Sequence, residues 1–364
     1  VLRVNLAERR WPFKWFYGNV GDELLQRRLW VTVKGLAALK RLRQTRIVLV
    51  GDLAPTFYNL AYDSEAIEAR LGLRVERHTL DDVFNRASKY GEKEVSSLAN
   101  ALIGRAARVV VDRKWIELTA RTVLAIQDVV AEGCYGAVAL RCWPEFQEVM
   151  NGLAPCLAVS WLNDNGLPTS CEGDVGGAVS MLALRYLSDA ATTMMDLVTV
   201  VEEKDLIHLW HCGPTAAALA DEAGQCITYH PTLDRARPSG APRRGASSDV
   251  VLKPGPVTVA RVSRDAARAF LMSGNVVEGP TRGYDGSRGW VTDLKINGEP
   301  ARVRDLIETV ASHGVPHHYP LAIGDWADPF RELAAWAGID ILKCVHSQDY
   351  LLPSCASRGG AEQA

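Results

Sequence analysis

The sequence predicts an α/β protein in two parts: a Rossmann-like parallel-sheet domain over residues 1–190, then a mostly β, barrel-like C-terminal domain over residues 191–364. Three observations lead there. Through the first half, short apolar runs alternate with longer stretches of helical period. Those runs are apolar at nearly every position, as strands covered on both faces of a parallel sheet are. Beyond residue 190 the β-rich runs follow one another closely, with few helical stretches between them.

Taken in order, residues 24–42 carry apolar side chains at helical spacing among Arg and Lys. Arg46-Ile47-Val48-Leu49-Val50 then reads as a strand ending at Gly51-Asp52. A helix is expected over 63–71, a short strand over 73–76 and a helix from Leu80. Val109-Val110-Val111 reads as another buried strand. Residues 115–131 form a strong helical pattern before the continuous apolar strand Ala137-Val138-Ala139-Leu140, and a further helix is expected over 172–188. In the second half, strands are expected over 194–201, 207–211, 250–253, 257–262 and 289–294. A helix over 329–337 and a strand over 339–344 follow. The Pro-, Gly-, Arg- and Ser-rich stretch 234–248 reads as an exposed loop over a site, and 354–364 as a frayed tail. No internal repeat is evident.

The composition is that of an ordinary globular protein, with 48% hydrophobic and 23% charged residues in 364. A formal net charge of −2 gives no field that would favour nucleic acid or an anionic membrane. No apolar run approaches the roughly 18–20 residues of a membrane span, and the start lacks a signal peptide's basic head and apolar stretch. Eight scattered cysteines without a CxxC pair read as free thiols in a reducing compartment. The expectation is a cytoplasmic protein acting on a small molecule.

Three places could carry chemistry. In Thr169-Ser170-Cys171-Glu172-Gly173-Asp174-Val175-Gly176-Gly177-Ala178, the bland reading is a helix start, with Thr169 as N-cap and Glu172 completing a capping box. The glycines could instead cradle a phosphate, but no G-x-G-x-x-G follows a strand, so dinucleotide binding is not expected. Asp196 lies in the strand Met194-Met195-Asp196-Leu197-Val198-Thr199-Val200-Val201, on the face of Met194, Val198 and Val200. A carboxylate on an apolar face is costly unless it is paired or metal-bound; the bland reading is a bond to a backbone N–H or an Arg. His208 and His211 fall on opposite faces of one strand, and His317-His318 precede the apolar run 319–323. Lone histidines are more often satisfied core or surface residues than ligands. Two carboxylate oxygens plus an imidazole suit Mn²⁺ or Mg²⁺ with open positions. Zinc remains an alternative ion because Cys171 and Cys212 adjoin the candidates, although both read as packing thiols.

At these residues the chain resembles the L-fucose isomerase and L-arabinose isomerase family. The blocks are Arg141-Cys142-Trp143-Pro144, Cys171-Glu172-Gly173-Asp174, Asp196, His211-Cys212-Gly213, Lys253-Pro254-Gly255-Pro256-Val257-Thr258 and His317-His318. Each block is weak alone; their order along residues 15–342 carries the resemblance. It implies a divalent cation, Mn²⁺ first with Mg²⁺ or another ion as alternatives, held by Glu172, Asp196 and one histidine of the closing pair. His318 is preferred to His317, and His211 is a secondary candidate. It further implies aldose–ketose interconversion of a monosaccharide through a cis-enediol. Glu172 and Asp196 would share ligation and proton transfer, with the identity of the base left open. A homo-oligomer, a trimer or hexamer, is implied too, as is a further N-terminal α/β domain that this chain is expected to lack. The rival readings are a non-catalytic sugar-binding or regulatory relative, and a metal-dependent hydrolase or aldolase.

Overall fold

The computed structural model describes residues 2–9, 11–233 and 244–348. In chain order the first half holds α1 (Leu2–Glu8), α2 (Glu23–Leu42), β1 (Arg46–Val50), α3 (Ser64–Leu71), β2 (Arg74–His78), α4 (Leu80–Lys89), α5 (Glu92–Arg105), β3 (Arg108–Val109), α6 (Arg113–Gly133), β4 (Ala137–Leu140), α7 (Glu145–Val149), α8 (Cys156–Asp164), β5 (Thr169–Ser170) and α9 (Val175–Ser188). The second half holds β6 (Thr192–Val201), β7 (Leu206–His211), β8 (Cys226–Thr228), β9 (Ser247–Val251), β10 (Gly255–Val262), β11 (Arg268–Val277), β12 (Ser287–Ile296), β13 (Glu299–Pro300), α10 (Val303–His313), β14 (His318–Ile323), α11 (Ala327–Ala337) and β15 (Asp340–Ile341).

Two sheets organise these elements. Strands β2-β1-β4-β5 form a four-stranded parallel sheet. The larger, mixed sheet runs β15-β11-β10-β14-β6-β7-β12-β9-β8-β3 with β13 on β12. Within it, β11 pairs β12 as well as β10, so β11-β10-β14-β6-β7-β12 return to their start through antiparallel pairs.

Helix α9 joins the two sheets. It contacts β4, β5 and β1 of the parallel sheet and β14, β10 and β6 of the larger one. Nearly every residue from Val175 to Leu187 is buried, as a helix enclosed on all sides requires. Its N-terminus therefore opens between the sheets, beside the start of β14.

Local chemistry sets most helix starts. Asp22, Asp63, Thr79 and Asp174 each accept a backbone N–H at the first turn of α2, α3, α4 and α9. The expected capping box of Thr169 and Glu172 does not form. Thr169 and Ser170 extend as β5, and Cys171, Glu172 and Gly173 make a turn, with Glu172 and Gly173 at φ of 61° and 72°. Glu172 is thus on the turn before the helix, not in the helix. Asp174 takes the cap in place of Thr169 because its carboxylate accepts the Gly177 N–H at 2.8 Å.

Other expectations shift for similar local reasons. The run at 109–111 is not a buried strand of the parallel sheet: Val110 is exposed, and Arg108 and Val109 pair with β8 in the larger sheet. A bulge between Leu197 and Thr199 breaks the alternation of β6, which leaves Val198 exposed. Of the stretch 234–248, residues 234–243 lie outside the described residues and Ser247 already belongs to β9; the expected tail 354–364 also lies outside them. Among the described residues no helix is long and apolar enough to cross a membrane.

Candidate active site

Strand pairing assembles the candidate residues. On β14, His318 stands opposite Asp196 of β6, and Asp196 in turn stands opposite Trp210 of β7. Directly opposed residues of antiparallel strands present their side chains on one face. His211 ends β7, one residue on. The turn carrying Glu172 closes against this face from the parallel sheet, held by the Gly173 N–H to the Leu140 carbonyl and the Ala54 N–H to the Glu172 carbonyl. Gly173 is required there, since a Cβ would collide with the Asp52 backbone.

Glu172 meets both closing histidines. Its Oε2 lies 3.2 Å from His317 Nε2 and 3.5 Å from His318 Nε2. Burial would raise the Glu172 carboxyl pKa, but the hydrogen bond from His317 and the nearby His318 and His211 more than offset it and hold it below the ordinary value. For His317 the balance runs the other way: burial opposes protonation, while Glu172 and the charges of Asp196 and Asp174 raise its pKa. Its Nδ1 is 2.9 Å from Asn59, and its ring lies against Phe57.

His318 is oriented from behind. Its Nδ1 is 2.9 Å from Asp174 Oδ2, and the same carboxylate forms a close ion pair with Arg261. Nδ1 therefore carries a hydrogen, and in the neutral ring Nε2 presents its lone pair toward Glu172 and the Cys171 thiol. All three side chains are buried. The pairs with Arg261 and His318 outweigh burial and hold the Asp174 carboxyl far below its ordinary pKa. A carboxylate behind the histidine is the arrangement that fixes metal-binding imidazoles. The glycine run, for which a phosphate cradle was one alternative, makes room for this pair: a Cβ on Gly177 would strike the Asp174 carboxylate.

Asp196 and His211 complete the picture differently. Asp196 Oδ1 is buried without a hydrogen-bond partner, so the bland reading of a bonded strand aspartate does not hold for that oxygen. His211 Nδ1 accepts the Cys212 N–H at 2.8 Å, which places the neutral ring's hydrogen on Nε2, 3.3 Å from Cys171 Sγ. His208 takes no part here; it stacks on Trp290 with ring centroids 4.4 Å apart.

Glu172, Asp196, His211 and the turn residue Cys171 line one cavity of about 300 Å³, with Trp143, Gln147 and Trp210 among its other walls. That is at the small end of ligand pockets. Three groups of side chains among the described residues are close enough to hold an ion: Glu172-His317-His318, Cys171-His211-His318 and Cys156-Cys212-His230. Asp196 enters none of them; it shares the cavity wall rather than the tightest cluster. The donor set nonetheless fits a cation: an unpartnered buried oxygen, a second carboxylate held ionised and an imidazole whose Nε2 faces that carboxylate.

Asp174, Arg261 and Asn59 had no role in the sequence reading. Arg261 offered a signal, since it is a charge inside the apolar strand β10, the same anomaly that singled out Asp196.

No protein-family model matches the chain. Curated relatives do. Proteins named sulfoquinovose isomerase from Priestia aryabhattai and Priestia megaterium are each 30% identical over 345 residues, covering 92% of this chain and 72% of the relative. One of the same name from Alkalicoccus urumqiensis is 27% identical over 348 residues, covering 94% and 74%. Identity of this extent spans every element that builds the cavity, and the chain belongs to the sulfoquinovose isomerase family, as an aldose–ketose sugar isomerase.

Proposed function

We propose that this isomerase converts sulfoquinovose, a hexose bearing a sulfonate, into its ketose through a cis-enediol. A divalent cation, Mn²⁺ first among the candidates, would be held by Glu172, Asp196 and His318. The observation that carries this reading is His318, backed by Asp174 and facing Glu172, beside a buried Asp196 oxygen that lacks a partner. When bound, such an ion polarises the sugar carbonyl and lowers the cost of negative charge on its oxygens.

The chain's own groups would do the rest. Glu172 and Asp196 share the transfer of the proton between the two carbons; His317 keeps Glu172 ionised and is the alternative ligand. His211, with its hydrogen on Nε2, is better suited to donate a hydrogen bond to a sugar oxygen than to bind the ion. Trp143 and Trp210 supply flat apolar walls for the C–H faces of the ring. The order of the motif blocks supports kinship with fucose and arabinose isomerases. Membership of an isomerase family sets aside the non-catalytic relative and the hydrolase or aldolase. The free thiols support a reducing compartment, the cytoplasm, and large exposed apolar side chains such as Trp15, Tyr17 and Val20 support a homo-oligomer, a trimer or hexamer.

Incubation with sulfoquinovose and Mn²⁺ in deuterated water is the test. Ketose should form and carry solvent deuterium at the carbon beside the carbonyl. Ketose without deuterium would count against the enediol, and no ketose at all against this substrate.

A further inference from the structure

The cavity has a second end, beyond His211. Cys212 Sγ lies 3.2 Å from His211 Nδ1 and 3.5 Å from Cys156 Sγ, and Cys156 is the first residue of α8. Ala154, Pro155 and Cys156 bring the start of that helix into the cavity wall. His230, which also lines the cavity, has a ring nitrogen within 4.8 Å of the Cys156 sulfur. We propose that the start of α8 and His230 form an anion subsite that receives the sulfonate of the sugar, so that the substrate is held at both ends, by the cation at one and by these N–H groups at the other.

Two independent features point to an anion. The first is the helix end. Pro155, the cap residue, offers no side-chain acceptor. The Leu157 N–H donates to the Ala246 carbonyl at 3.3 Å, but neither the Cys156 nor the Ala158 N–H has an acceptor among the described residues. First-turn N–H groups point out of the helix end, where the helix dipole adds partial positive charge. The second is His230, only 6% exposed. The Thr232 and Leu233 N–H groups donate to its Nδ1 at 3.3 and 3.2 Å. In the neutral ring the hydrogen is therefore on Nε2, which has no hydrogen-bond partner among the described residues. This corner of the cavity thus presents donors rather than metal ligands. The Cys156 contact and burial push the Cys212 thiol up to about 12, so no thiolate there opposes an anion. Among the described residues no Arg or Lys lines the cavity, which leaves these N–H groups to meet a negative charge. A sulfonate has three oxygens to share among them. In sulfoquinovose it stands on the carbon farthest from the aldehyde, so anchoring it here directs the reacting end toward Glu172 and Asp196.

The subsite rests on the sulfoquinovose reading, whereas glycosides that cannot open to an aldehyde report anion binding without turnover. Methyl sulfoquinovoside and methyl glucoside are titrated calorimetrically into the whole chain, stripped with chelator. Wild type should bind the sulfonated glycoside at least about tenfold tighter, as charge-assisted hydrogen bonds allow. His230→Leu should lose most of that preference. His230→Gln, whose amide donates from the position of Nε2, should regain at least part of it. A crystal structure of the wild type with methyl sulfoquinovoside, which needs no variant to fold, should place sulfonate oxygens within hydrogen-bond distance of His230 Nε2 and the Cys156 N–H. No preference for the sulfonated glycoside, equal preference in wild type and His230→Leu, equal loss in the Leu and Gln variants, or a sulfonate seated elsewhere overturns the subsite. A preference that depends on His230 in a chain that forms no ketose would instead remove the isomerase reading and leave the subsite standing.

Discussion

A carboxylate oxygen buried without a partner costs free energy that a fold does not ordinarily tolerate, and Asp196 Oδ1 is such an oxygen. Glu172 sits in a left-handed backbone conformation, which is unusual for a residue with a side chain. Neither choice serves packing. Both are explained if the two side chains are placed for chemistry. Glu172→Gln and Asp196→Asn should therefore each lower kcat by about 10² to 10⁴, the usual worth of a proton-transferring group, while Tm stays near that of the wild type. Loss of activity that merely tracks loss of folded protein in thermal melts would contradict this. Asp196 was legible in the sequence because one charge interrupts an apolar strand. Asp174 was not, because its role depends on Arg261, far away in the chain and brought close only by the pairing of α9 with β10. Glu172 was found but misplaced: sequence alone does not show that Asp174, two residues on, takes the cap.

Elements were legible in proportion to how much of their pattern is local. The apolar runs of β1 and β4 and the periodic stretches of α2 and α6 appear close to where they were expected. Strand β3 was misjudged because three valines look the same whether their neighbours bury them or leave them at a sheet edge. β11 was not anticipated at all. On β7, His208 and His211 were read on opposite faces of the strand; His211 lines the cavity and His208 stacks on Trp290. Burial first, and the Arg288 charge second, lower the His208 pKa to about 4. An imidazole whose folded pKa lies below its unfolded value of about 6.5 loses stability for the protein as pH falls between those values. The loss should be on the order of 3 kcal/mol by pH 4. His208→Phe, which keeps a ring on Trp290, should show a flatter denaturation midpoint from pH 6.5 to 4. Equal slopes in the two proteins would refute the assignment.

At the scale of the whole molecule, α/β character and the change to β-rich texture were legible, but the topology was not. Nothing local tells β14 to lie between β10 and β6, yet that placement sets His318 opposite Asp196. Trp11, Trp15, Tyr17 and Val20, with Leu24 and Val33 of α2, are large apolar side chains exposed to solvent, the kind of surface through which copies of a chain associate. Light scattering should find an oligomer, dissociated by Trp15→Asp combined with Val20→Asp; a monomer at micromolar concentration would contradict the expectation. One cation would serve the two carboxylates and His318. Chelator-stripped protein, titrated with Mn²⁺ while sulfoquinovose turnover is followed, tests it most directly. Turnover should be negligible without metal and rise to a plateau at one Mn²⁺ per chain. Full turnover in protein shown to hold no metal would contradict it.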